Sequence, residues 1–366
     1  MKKKILHLIE SSEAGGAETI YANIIRSLNK HKYVSIAGIS GNGLWLTEIL
    51  KDIELKIIRL VREKPFDLNF LHNLIHLVRR ENVNLIHSHM FTMNFYGALS
   101  SMMTRTPLIC TMHDTYYDLS KRKRILMYKF ISAIAKSIVT VSHDMHTTVN
   151  DRISRKKNIK CILNGVDVKR FESKTKEKLR RSRDIPHGEF IIINVGNLYK
   201  VKNHLLLVYI AKRLTDVIPN FKLIIIGEGT ARDDIEGKIR ELSLQEKVVL
   251  LGLRKDVSEW LSLADVSVLP SRSEGLSISL LEAMSHGLPV IASNAGGNKD
   301  VIVKDKNGIL VEDFGIYTYS EEILRLYQNP WLREYLGKNA RSTVEEKFGA
   351  KRMVKQYEAL YASCVR

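Results

Sequence analysis

The feature that most constrains the fold of this chain is a repeated alternation of short apolar runs with longer segments of helical periodicity. In the first half, the runs predict buried strands at Lys4–Ile9, Val34–Ser40, Lys56–Leu60, Asn84–Ser88, Pro107–Met112 and Ile138–Ser142. In the second half, they predict strands at Phe190–Val195, Lys222–Gly227, Lys247–Leu251, Asp265–Pro270 and Pro289–Ala292. Strands that alternate with helices form parallel sheets covered by helices on both faces. The pattern therefore predicts an α/β fold with two doubly wound, Rossmann-like domains.

The boundary between the domains is predicted within residues 164–186, because residues 168–184 are strongly charged and carry no strand pattern. The chain has 366 residues, whereas single cores stop growing at roughly 250–300 residues. We predict one domain over residues 1–165 and a second over 166–349, with a final helix over 350–366 that packs back on the first. Two such domains are expected to face each other across a cleft at the carboxyl ends of their strands, where doubly wound folds bind ligands.

The charge of the chain is unevenly distributed. Lys and Arg exceed Asp and Glu by 17 over the whole chain, and residues 1–166 hold 25 Lys and Arg against 13 Asp and Glu. A basic first half predicts an anionic partner, which is a phosphorylated substrate, a membrane surface or nucleic acid. Nucleic-acid binding would need aromatic residues interleaved with basic ones on an exposed face. Aromatic residues make up only 7% of the chain and are scattered, so we predict no nucleic-acid partner.

Cysteine usage and hydropathy predict a cytoplasmic location. The three cysteines are odd in number, far apart and outside any C-x-x-C pair, which argues against a disulfide framework and a zinc cluster. The first apolar run, Ile5–Ile9, is interrupted by His7 and followed at once by Glu10. It therefore indicates a buried strand and not a signal sequence. No apolar stretch approaches the ~20 residues that a membrane-spanning helix needs.

The strongest chemical signal is the segment SRSEGLSISLLEAMSHGLPVIAS, residues 271–293. Glu274 lies in a loop before a helix that begins near Ser277, and Glu282 lies about two turns further on. The amide groups at a helix N-terminus suit a diphosphate. Carboxylates accept strong hydrogen bonds from sugar hydroxyl groups. The pattern predicts a site in which one glutamate holds a hexose and the other holds a ribose.

Glycines and a lysine follow other predicted strands. Gly15 and Gly16 lie in the first turn, and Gly227 belongs to a G-x-G after a later strand. Because glycine has no side chain, backbone amides at these turns can approach a phosphate or a sugar closely. Lys202 lies seven residues after Val195, at the end of another predicted strand. A lysine in this position can reach a diphosphate as a point charge.

Taken in order, these motifs resemble those of glycosyltransferase family 4, whose members are retaining enzymes of the GT-B fold. The resemblance covers nearly the whole chain. It rests on GGAE at 15–18, TMHD at 111–114, VSHD at 141–144, NGVD at 164–167, VGNLYKVKN at 195–203, IIGEGTAR at 225–232, GLRKDV at 252–257 and the glutamate segment.

The resemblance implies a retaining transfer of a hexose or N-acetylhexosamine from a nucleotide-diphosphate sugar. A UDP-sugar is the expected donor, and a glycan or lipid-linked molecule in polysaccharide or lipopolysaccharide synthesis is the expected acceptor. No metal or other cofactor is implied. Donor-binding roles are implied for Gly16, Asn197, Lys202, Gly227, Leu253, Glu274, Gly275, Leu276, Ser277 and Glu282, and acceptor-binding roles for Gly15, Gly16 and Glu18.

The resemblance also implies a catalytic set of His113, Glu274 and Lys202. His113 is expected to hydrogen-bond a hydroxyl of the transferred sugar and not to act as a general base. The family often has an arginine where this chain has Asn197, which puts one expected phosphate contact in doubt. Lys200 is a second basic residue in the same loop.

His87 and His89 form an H-x-H pattern on a predicted strand, so their side chains share one face. They could line the cleft or bind a metal, but no third ligand is evident in the sequence, and a structural role is predicted. Two other enzymes of the same fold are alternatives. A sugar-nucleotide epimerase should lack the loop with Glu274 and Glu282, and a glycan phosphorylase normally needs a pyridoxal-binding lysine, for which no pattern is seen.

The segment Lys121–Ser137 predicts contact with an anionic membrane. Its basic residues are Lys121, Arg122, Lys123, Arg124, Lys129 and Lys136, and its apolar residues are Ile125, Leu126, Tyr128, Phe130, Ile131 and Ile134. A basic helix with exposed apolar residues can lie in the interface of an anionic leaflet. The alternative is an ordinary helix whose apolar side packs on the sheet. The basic first half favours the membrane.

Overall fold

The computed structural model describes residues 2–41, 43–114, 119–153, 158–168 and 176–365. The chain divides into two compact units. One comprises Met1–Gly165 and Ala350–Arg366, and the other comprises Val166–Gly349. Residues 169–175, which belong to the predicted connection between the domains, lie outside the described residues.

The first unit is built on a parallel sheet. Its strands are β1 (Lys3–Ile9), β2 (Tyr33–Ser40), β3 (Lys56–Leu60), β4 (Leu85–His89), β5 (Leu108–Met112), β6 (Ser137–Thr140) and β7 (Ile159–Cys161). Their order is β3-β2-β1-β4-β5-β6-β7, so the direction of winding reverses between β1 and β4. Every residue of β4 and β5 is buried, as expected for a parallel sheet that is covered on both faces.

Helices α1 to α6 accompany this sheet. They are α1 (Gly16–Ser27), α2 (Trp45–Leu50), α3 (Leu68–Arg80), α4 (Phe91–Thr104), α5 (Arg122–Ile134) and α6 (His143–Ile153). Helix α3 shows why these segments are helical. The carboxylate of Asp67 accepts a hydrogen bond from the amide of Phe70 at 3.0 Å, as an N-cap residue does. Phe70, Leu74 and Leu77 are buried, and this spacing forms one apolar stripe along the helix.

The second unit has its own parallel sheet. Its strands are β8 (Phe190–Val195), β9 (Phe221–Ile226), β10 (Val248–Gly252), β11 (Val266–Leu269), β12 (Val290–Ser293) and β13 (Ile309–Val311). Their order is β10-β9-β8-β11-β12-β13, so the winding reverses between β8 and β11. The helices are α7 (Lys176–Arg181), α8 (His204–Leu214), α9 (Arg232–Glu241), α10 (Val257–Leu263), α11 (Ile278–Ser285), α12 (Asn298–Val301), α13 (Ile316–Gln328) and α14 (Pro330–Lys347).

Helix α7 lies within the charged segment that the sequence places between the domains, and it is held by the second unit. Lys176 and Arg180 of α7 pair with the two carboxylate oxygens of Asp265 at 2.7 and 2.6 Å. Asp265 also accepts a hydrogen bond from the amide of Ile191 at 2.7 Å. The charges of this segment therefore attach the helix next to β8.

The last helix, α15 (Ala350–Cys364), belongs to the first unit and packs against α1. Tyr357 and Tyr361 on this helix are fully buried. The carboxylate of Glu358 accepts a hydrogen bond from the amide of Asn29 at 2.7 Å. The chain thus leaves the first unit at Gly165 and returns to it at Ala350.

The predicted fold class, two Rossmann-like α/β sheets, is confirmed. Two short strands were not predicted, namely β7 and β13, and each has only three residues. A run of three residues is too short to show a periodicity, so tertiary pairing defines these strands and not local pattern. In the described parts of the chain, no helix combines the length and apolarity needed to cross a membrane.

Candidate functional site

Lys202 and Glu274 form an ion pair in the second unit. After β8 the chain passes through a short 3-10 helix, Lys200–Lys202, while Glu274 lies in the loop between β11 and α11. The ammonium nitrogen of Lys202 lies 2.7 and 2.8 Å from the two carboxylate oxygens of Glu274. The side chain of Glu274 is only 6% exposed and that of Lys202 is 26% exposed. The pairing compensates the burial of the carboxylate, and it stands where the winding of the sheet reverses.

The backbone around Glu274 is held by a neighbouring loop. Gly296 has a φ of +52°, and a Cβ atom at this position would lie 1.8 Å from the carbonyl oxygen of Glu274. The amide of Gly297 donates a hydrogen bond to the carbonyl of Gly275 at 2.9 Å. Only glycine fits at position 296, so this close approach fixes the glutamate loop against the chain that follows β12.

A second glycine contact joins the loops after β8 and β9. Gly227 has a φ of +149°, and a Cβ atom there would lie 2.1 Å from the carbonyl oxygen of Gly196. The next residue along the first loop, Asn197, is half-buried. The amide of Gly227 donates to the carbonyl of Gly252 at 3.0 Å. Leu253, which follows, has a side chain that is 51% exposed. The structure therefore brings the loops that carry Asn197, Gly227 and Leu253 together.

Helix α11 begins as the sequence predicts. Ser277 is its N-cap, and the hydroxyl of Ser277 accepts a hydrogen bond from the amide of Leu280 at 3.4 Å. Gly275 and Leu276, which precede the cap, are buried. Glu282 lies one turn into the helix and is half-buried. The predicted donor residues of this segment thus occupy one loop and the first turns of one helix.

His204 is a site residue that the sequence analysis missed. It is the first residue of α8 and lines a small pocket together with Lys202, Glu274, Ser271 and Ser279. His204 is 2% exposed, and within the described residues neither of its ring nitrogens has a hydrogen-bond partner. Burial, with the nearby charge of Lys202, lowers the pKa of His204 to about 4. The available signal was its place at the start of a helix, two residues after Lys202.

In the first unit, His113 follows β5 and lies against His89 at the end of β4. Nε2 of His113 is 2.9 Å from Nδ1 of His89, and the two ring planes are inclined by 18° at a centroid distance of 5.2 Å. Burial lowers the pKa of His113 to about 4 and lowers that of His89 well below its usual value. Both rings are therefore neutral at pH 7, and a single hydrogen bond joins them.

A third histidine, which was not evident from the sequence pattern, lies beside the H-x-H pair. His7 of β1 lies beside His87 in the parallel register, and one nitrogen from each of His7, His87 and His89 lies within 4.8 Å of the others. Both nitrogens of His87 already have protein partners. These are the hydroxyl of Tyr361 at 2.6 Å and that of Thr111 at 2.8 Å. A metal would have to displace one of them, and the structural role of the pair stays a prediction.

The glycine-rich turn at the start of α1 holds a buried carboxylate. Gly15 is the N-cap of α1, and Gly16 is its first residue. Glu18 is 5% exposed, and its carboxylate lies against Gly15. Burial raises the pKa of Glu18, and a hydrogen bond with Ser11 opposes that rise. The three residues predicted to bind the acceptor are therefore neighbours at one helix start.

Helix α5 covers most of the predicted membrane segment and exposes only part of it. Tyr128 and Ile131 are fully buried, whereas Leu126 is 66% exposed and Phe130 is 38% exposed. The guanidinium of Arg124 lies over the ring of Phe91 at 4.8 Å. The exposed basic residues are Lys121, Arg122, Lys123 and Lys136.

Comparisons with known proteins cover both units. A family model described as Glycosyltransferase Family 4 matches residues 14–170, and one described as Glycosyl transferases group 1 matches residues 175–343. The chain is 27% identical over 308 residues to the N-acetyl-alpha-D-glucosaminyl L-malate synthase of Bacillus anthracis, with 82% of this chain and 80% of the relative covered. It is also 27% identical over 314 residues, with the same coverage, to the UDP-Gal:alpha-D-GlcNAc-diphosphoundecaprenol alpha-1,3-galactosyltransferase of Escherichia coli.

A solved structure shares the fold. The Anabaena protein HepE, crystallised in complex with UDP and glucose, superposes with a TM-score of 0.89 at 20% identity, covering 99% of this chain and all of HepE. Likeness over both units confirms the GT-B type of architecture that the sequence motifs predict.

Proposed function

Because the chain belongs to the group 1 glycosyl transferases, it is an enzyme that uses a nucleotide sugar, and we propose that it transfers a hexose or N-acetylhexosamine from a UDP-sugar with retention of configuration. The acceptor is a glycan or a lipid-linked sugar of cell-surface polysaccharide or lipopolysaccharide synthesis. One observation carries the proposal. The ion pair of Lys202 and Glu274 stands where the second sheet reverses its winding, the place at which doubly wound sheets bind nucleotides.

The charges of this site suit the two ends of a nucleotide sugar. Lys202 is a cation that can pair with the diphosphate, and the first amides of α11 add a positive dipole beside it. Glu274 can accept hydrogen bonds from hexose hydroxyls, and Glu282 can accept them from the ribose. The donor would thus exchange the contact between Lys202 and Glu274 for separate contacts with each residue.

The proposed reaction proceeds by attack on the same face of the sugar. The bond between the anomeric carbon and the diphosphate oxygen breaks, and the acceptor oxygen bonds to that carbon from the side of the leaving group. The leaving phosphate takes the proton of the acceptor. Negative charge grows on the diphosphate as the bond breaks, so Lys202 and the amides of α11 stabilise the transition state more than the ground state. Neither glutamate acts as a nucleophile in this scheme.

His113 serves the transferred sugar. Its neutral ring can donate a hydrogen bond to a sugar oxygen or accept one from a hydroxyl group, and it brings no charge to the reacting carbon. The positive charge for the leaving group comes from Lys202 and the amides of α11, so the reaction is proposed to need no metal and no other cofactor.

The names of similar proteins support the choice of donor and acceptor. The Anabaena structure contains UDP and glucose. The Escherichia coli relative is named for a UDP-galactose donor and a diphosphoundecaprenol-linked acceptor, and the Bacillus anthracis relative is named for an N-acetylglucosaminyl product. The first two names favour UDP as the carrier, and the third favours an N-acetylhexosamine as the transferred sugar.

The test is a panel of UDP-, GDP- and ADP-sugars incubated with the purified chain in the presence of EDTA, with release of free sugar as the measurement. We expect hydrolysis of a UDP-sugar that EDTA does not inhibit and that the variant Glu274→Gln loses. NMR of the first product formed should show the anomeric configuration of the donor. Hydrolysis of only a GDP- or ADP-sugar would overturn the choice of donor, and an inverted product would overturn retention.

We further propose that the first unit docks on the anionic cytoplasmic face of a membrane through an apolar patch rimmed by basic residues. The patch consists of Phe66, Phe95, Leu126 and Phe130. Their positions are continuous, because the ring of Phe95 lies 6.4 Å from that of Phe66 and 6.2 Å from that of Phe130, and Leu126 is one helical turn from Phe130. The exposed residues Lys121, Arg122 and Lys123 lie at the N-terminal end of the same helix. Each basic residue near an anionic surface contributes about 1 kcal/mol.

Sedimentation with vesicles tests the docking. The chain should pellet with vesicles that contain phosphatidylglycerol and not with pure phosphatidylcholine, and salt should weaken the effect. The triple variant Lys121→Gln, Arg122→Gln and Lys123→Gln should stay in the supernatant. Its matched control is Lys351→Gln, Arg352→Gln and Lys355→Gln, which removes the same charge from exposed positions of α15. Equal loss of binding in both triple variants would show that net charge alone is responsible and would refute the patch.

A further inference from the structure

The contact between His89 and His113 contains a single hydrogen atom whose position decides what His113 can offer a substrate. The two nitrogens are 2.9 Å apart, and a neutral imidazole carries hydrogen on one of its two nitrogens. Either Nδ1 of His89 donates to Nε2 of His113, or Nε2 of His113 donates to Nδ1 of His89. In the first case His113 carries its own hydrogen on Nδ1, and in the second case it carries it on Nε2.

The other nitrogen of His89 distinguishes the two cases. Nε2 of His89 is fully buried and has no hydrogen-bond partner within the described residues. If His113 were the donor, His89 would have to hold its hydrogen on Nε2, which would leave a buried N–H group without an acceptor. Orphaned N–H groups are rarer in folded proteins than acceptors that lack a donor. If His89 donates, the buried nitrogen is a bare acceptor, which is the better tolerated arrangement.

We propose that His89 is a positioning residue that donates its Nδ1 hydrogen to Nε2 of His113, so that His113 holds its own hydrogen on Nδ1. His113 then presents an N–H donor on the ring edge that does not face His89. A donor suits an oxygen atom of the transferred sugar. This last step rests on the proposed function, whereas the position of the hydrogen does not.

The surroundings of His89 hold its ring in this orientation. β4 and β5 are paired so that His89 lies opposite Thr111, and the ring of Tyr21 packs edgewise against His89 at a centroid distance of 5.4 Å. The ring of His87 lies 4.2 Å away on the same face. His87 is itself fixed through both nitrogens, by Thr111 and Tyr361. A ring confined in this way keeps the same nitrogen towards His113.

NMR of the ¹⁵N-labelled chain at neutral pH tests the position of the hydrogen without any sugar or nucleotide. The two ring nitrogens of His113 give different shifts according to which one is protonated. We expect Nδ1 of His113 to be protonated in the wild-type chain and in His89→Asn, whose amide can replace the donor. The variant His89→Leu has nearly the same shape as His89→Asn but no donor, and it should free His113 to place its hydrogen on Nε2. A wild-type His113 protonated on Nε2 would overturn the proposal.

Kinetics test whether the hydrogen bond matters to the reaction. His89→Leu should lower kcat about 10-fold, the scale of one lost hydrogen bond, with little change in the KM of the donor, and His89→Asn should recover most of the loss. Tyr361→Phe is the control, because it removes one of the two hydrogen bonds of His87, keeps the one to Thr111 and leaves the contact of His113 intact. It should lower thermal stability without moving the hydrogen of His113. Equal losses of kcat in His89→Leu and His89→Asn would show a merely structural role and refute positioning.

Discussion

The two units handle buried polar side chains in opposite ways at the carboxyl ends of their central strands. In the first unit, His89 and His113 share a hydrogen bond between neutral rings, because burial keeps their pKa values low. In the second unit, the buried carboxylate of Glu274 is matched by the ammonium group of Lys202. The histidine pair of the first unit is thus buried without charge, and the pair in the second unit is buried as opposite charges in contact.

This difference follows the chemistry that each unit is proposed to serve. A sugar hydroxyl needs a donor or acceptor of hydrogen bonds but no net charge, whereas a diphosphate carries negative charge that grows as the glycosidic bond breaks. Neutral groups are less costly to bury than ions, and ions are tolerated in the interior when they are paired. From this contrast we expect acid to destabilise the first unit and the loss of one charge to lower the activity that depends on the second.

Acid should destabilise the first unit more than the second. Burial lowers the pKa of His7 to about 3, that of His113 to about 4, and those of His87 and His89 well below their usual values. In the unfolded chain, these four histidines become protonated near pH 6.5. The stability that depends on their neutral form is therefore fully present above pH 6.5, and it falls as the pH drops towards the pKa values of the folded protein. In that window, each such histidine lowers the free energy of unfolding by about 1.4 kcal/mol for every unit by which the pH falls.

In the second unit, the described residues with the same behaviour are His204 and His286, whose pKa values burial lowers to about 4. The fluorescence of Trp45 reports on the first unit in a chain where Trp260 and Trp331 are replaced by Phe. Urea unfolding is followed at pH 7 and at pH 5. The free energy of unfolding should fall more between these pH values in the chain that retains only Trp45 than in a chain that retains only Trp260 and Trp331. Equal losses of unfolding free energy in the two chains would show that acid does not destabilise the first unit more than the second.

Lys202→Ala should remove most of the catalytic charge of the second unit. Removing one group that stabilises charge in a transition state lowers kcat roughly 10²–10³-fold, and the KM of the donor should change much less. Steady-state kinetics with the preferred donor gives both constants. Lys200→Ala is the matched control, because Lys200 is exposed on the same 3-10 turn. A change confined to KM would assign Lys202 to ground-state binding only.

Glu282→Ala should weaken binding of the donor by a smaller amount. A hydrogen bond to a charged acceptor contributes roughly 1.5–3 kcal/mol, which corresponds to about a 10- to 100-fold change in Kd. Isothermal calorimetry with the donor measures it directly. Glu246→Ala removes the same charge from an exposed position of the second unit and should leave Kd unchanged. If both variants bind as the wild type does, Glu282 is not part of the site.

Much of the fold was predictable, because the apolar runs are long enough to show their period. β3 and β8 have the bounds that the sequence predicts, and α11 begins at Ile278, next to the predicted start near Ser277. β7 and β13 were missed because three residues carry no pattern. On α5, the sequence showed six apolar residues but not which side faces the sheet. The structure buries Tyr128 and Ile131 and leaves Leu126 exposed.

The site was only partly predictable, because its contacts join residues that are distant in the chain. Lys202 and Glu274 were both singled out, yet their ion pair spans 72 positions and depends on β8 lying beside β11. The same holds for His7, which meets His87 only because β1 pairs with β4. His204 carries no motif of its own and is identified by burial without partners. The local sequence pattern thus identified several of the site residues, whereas the order of the strands in each sheet determines which of them are in contact.

The return of α15 to the first unit has a consequence for the order of synthesis. Residues 166–349 lie between the two parts of that unit, so a ribosome completes the whole second unit before it makes Tyr357 and Tyr361. Until then, His87 lacks the hydroxyl that lies 2.6 Å from its Nδ1, and the apolar face that α15 covers has no partner from its own unit. The nascent chain therefore carries an unfinished first unit throughout the translation of the second, a period in which chaperones could recognise that face.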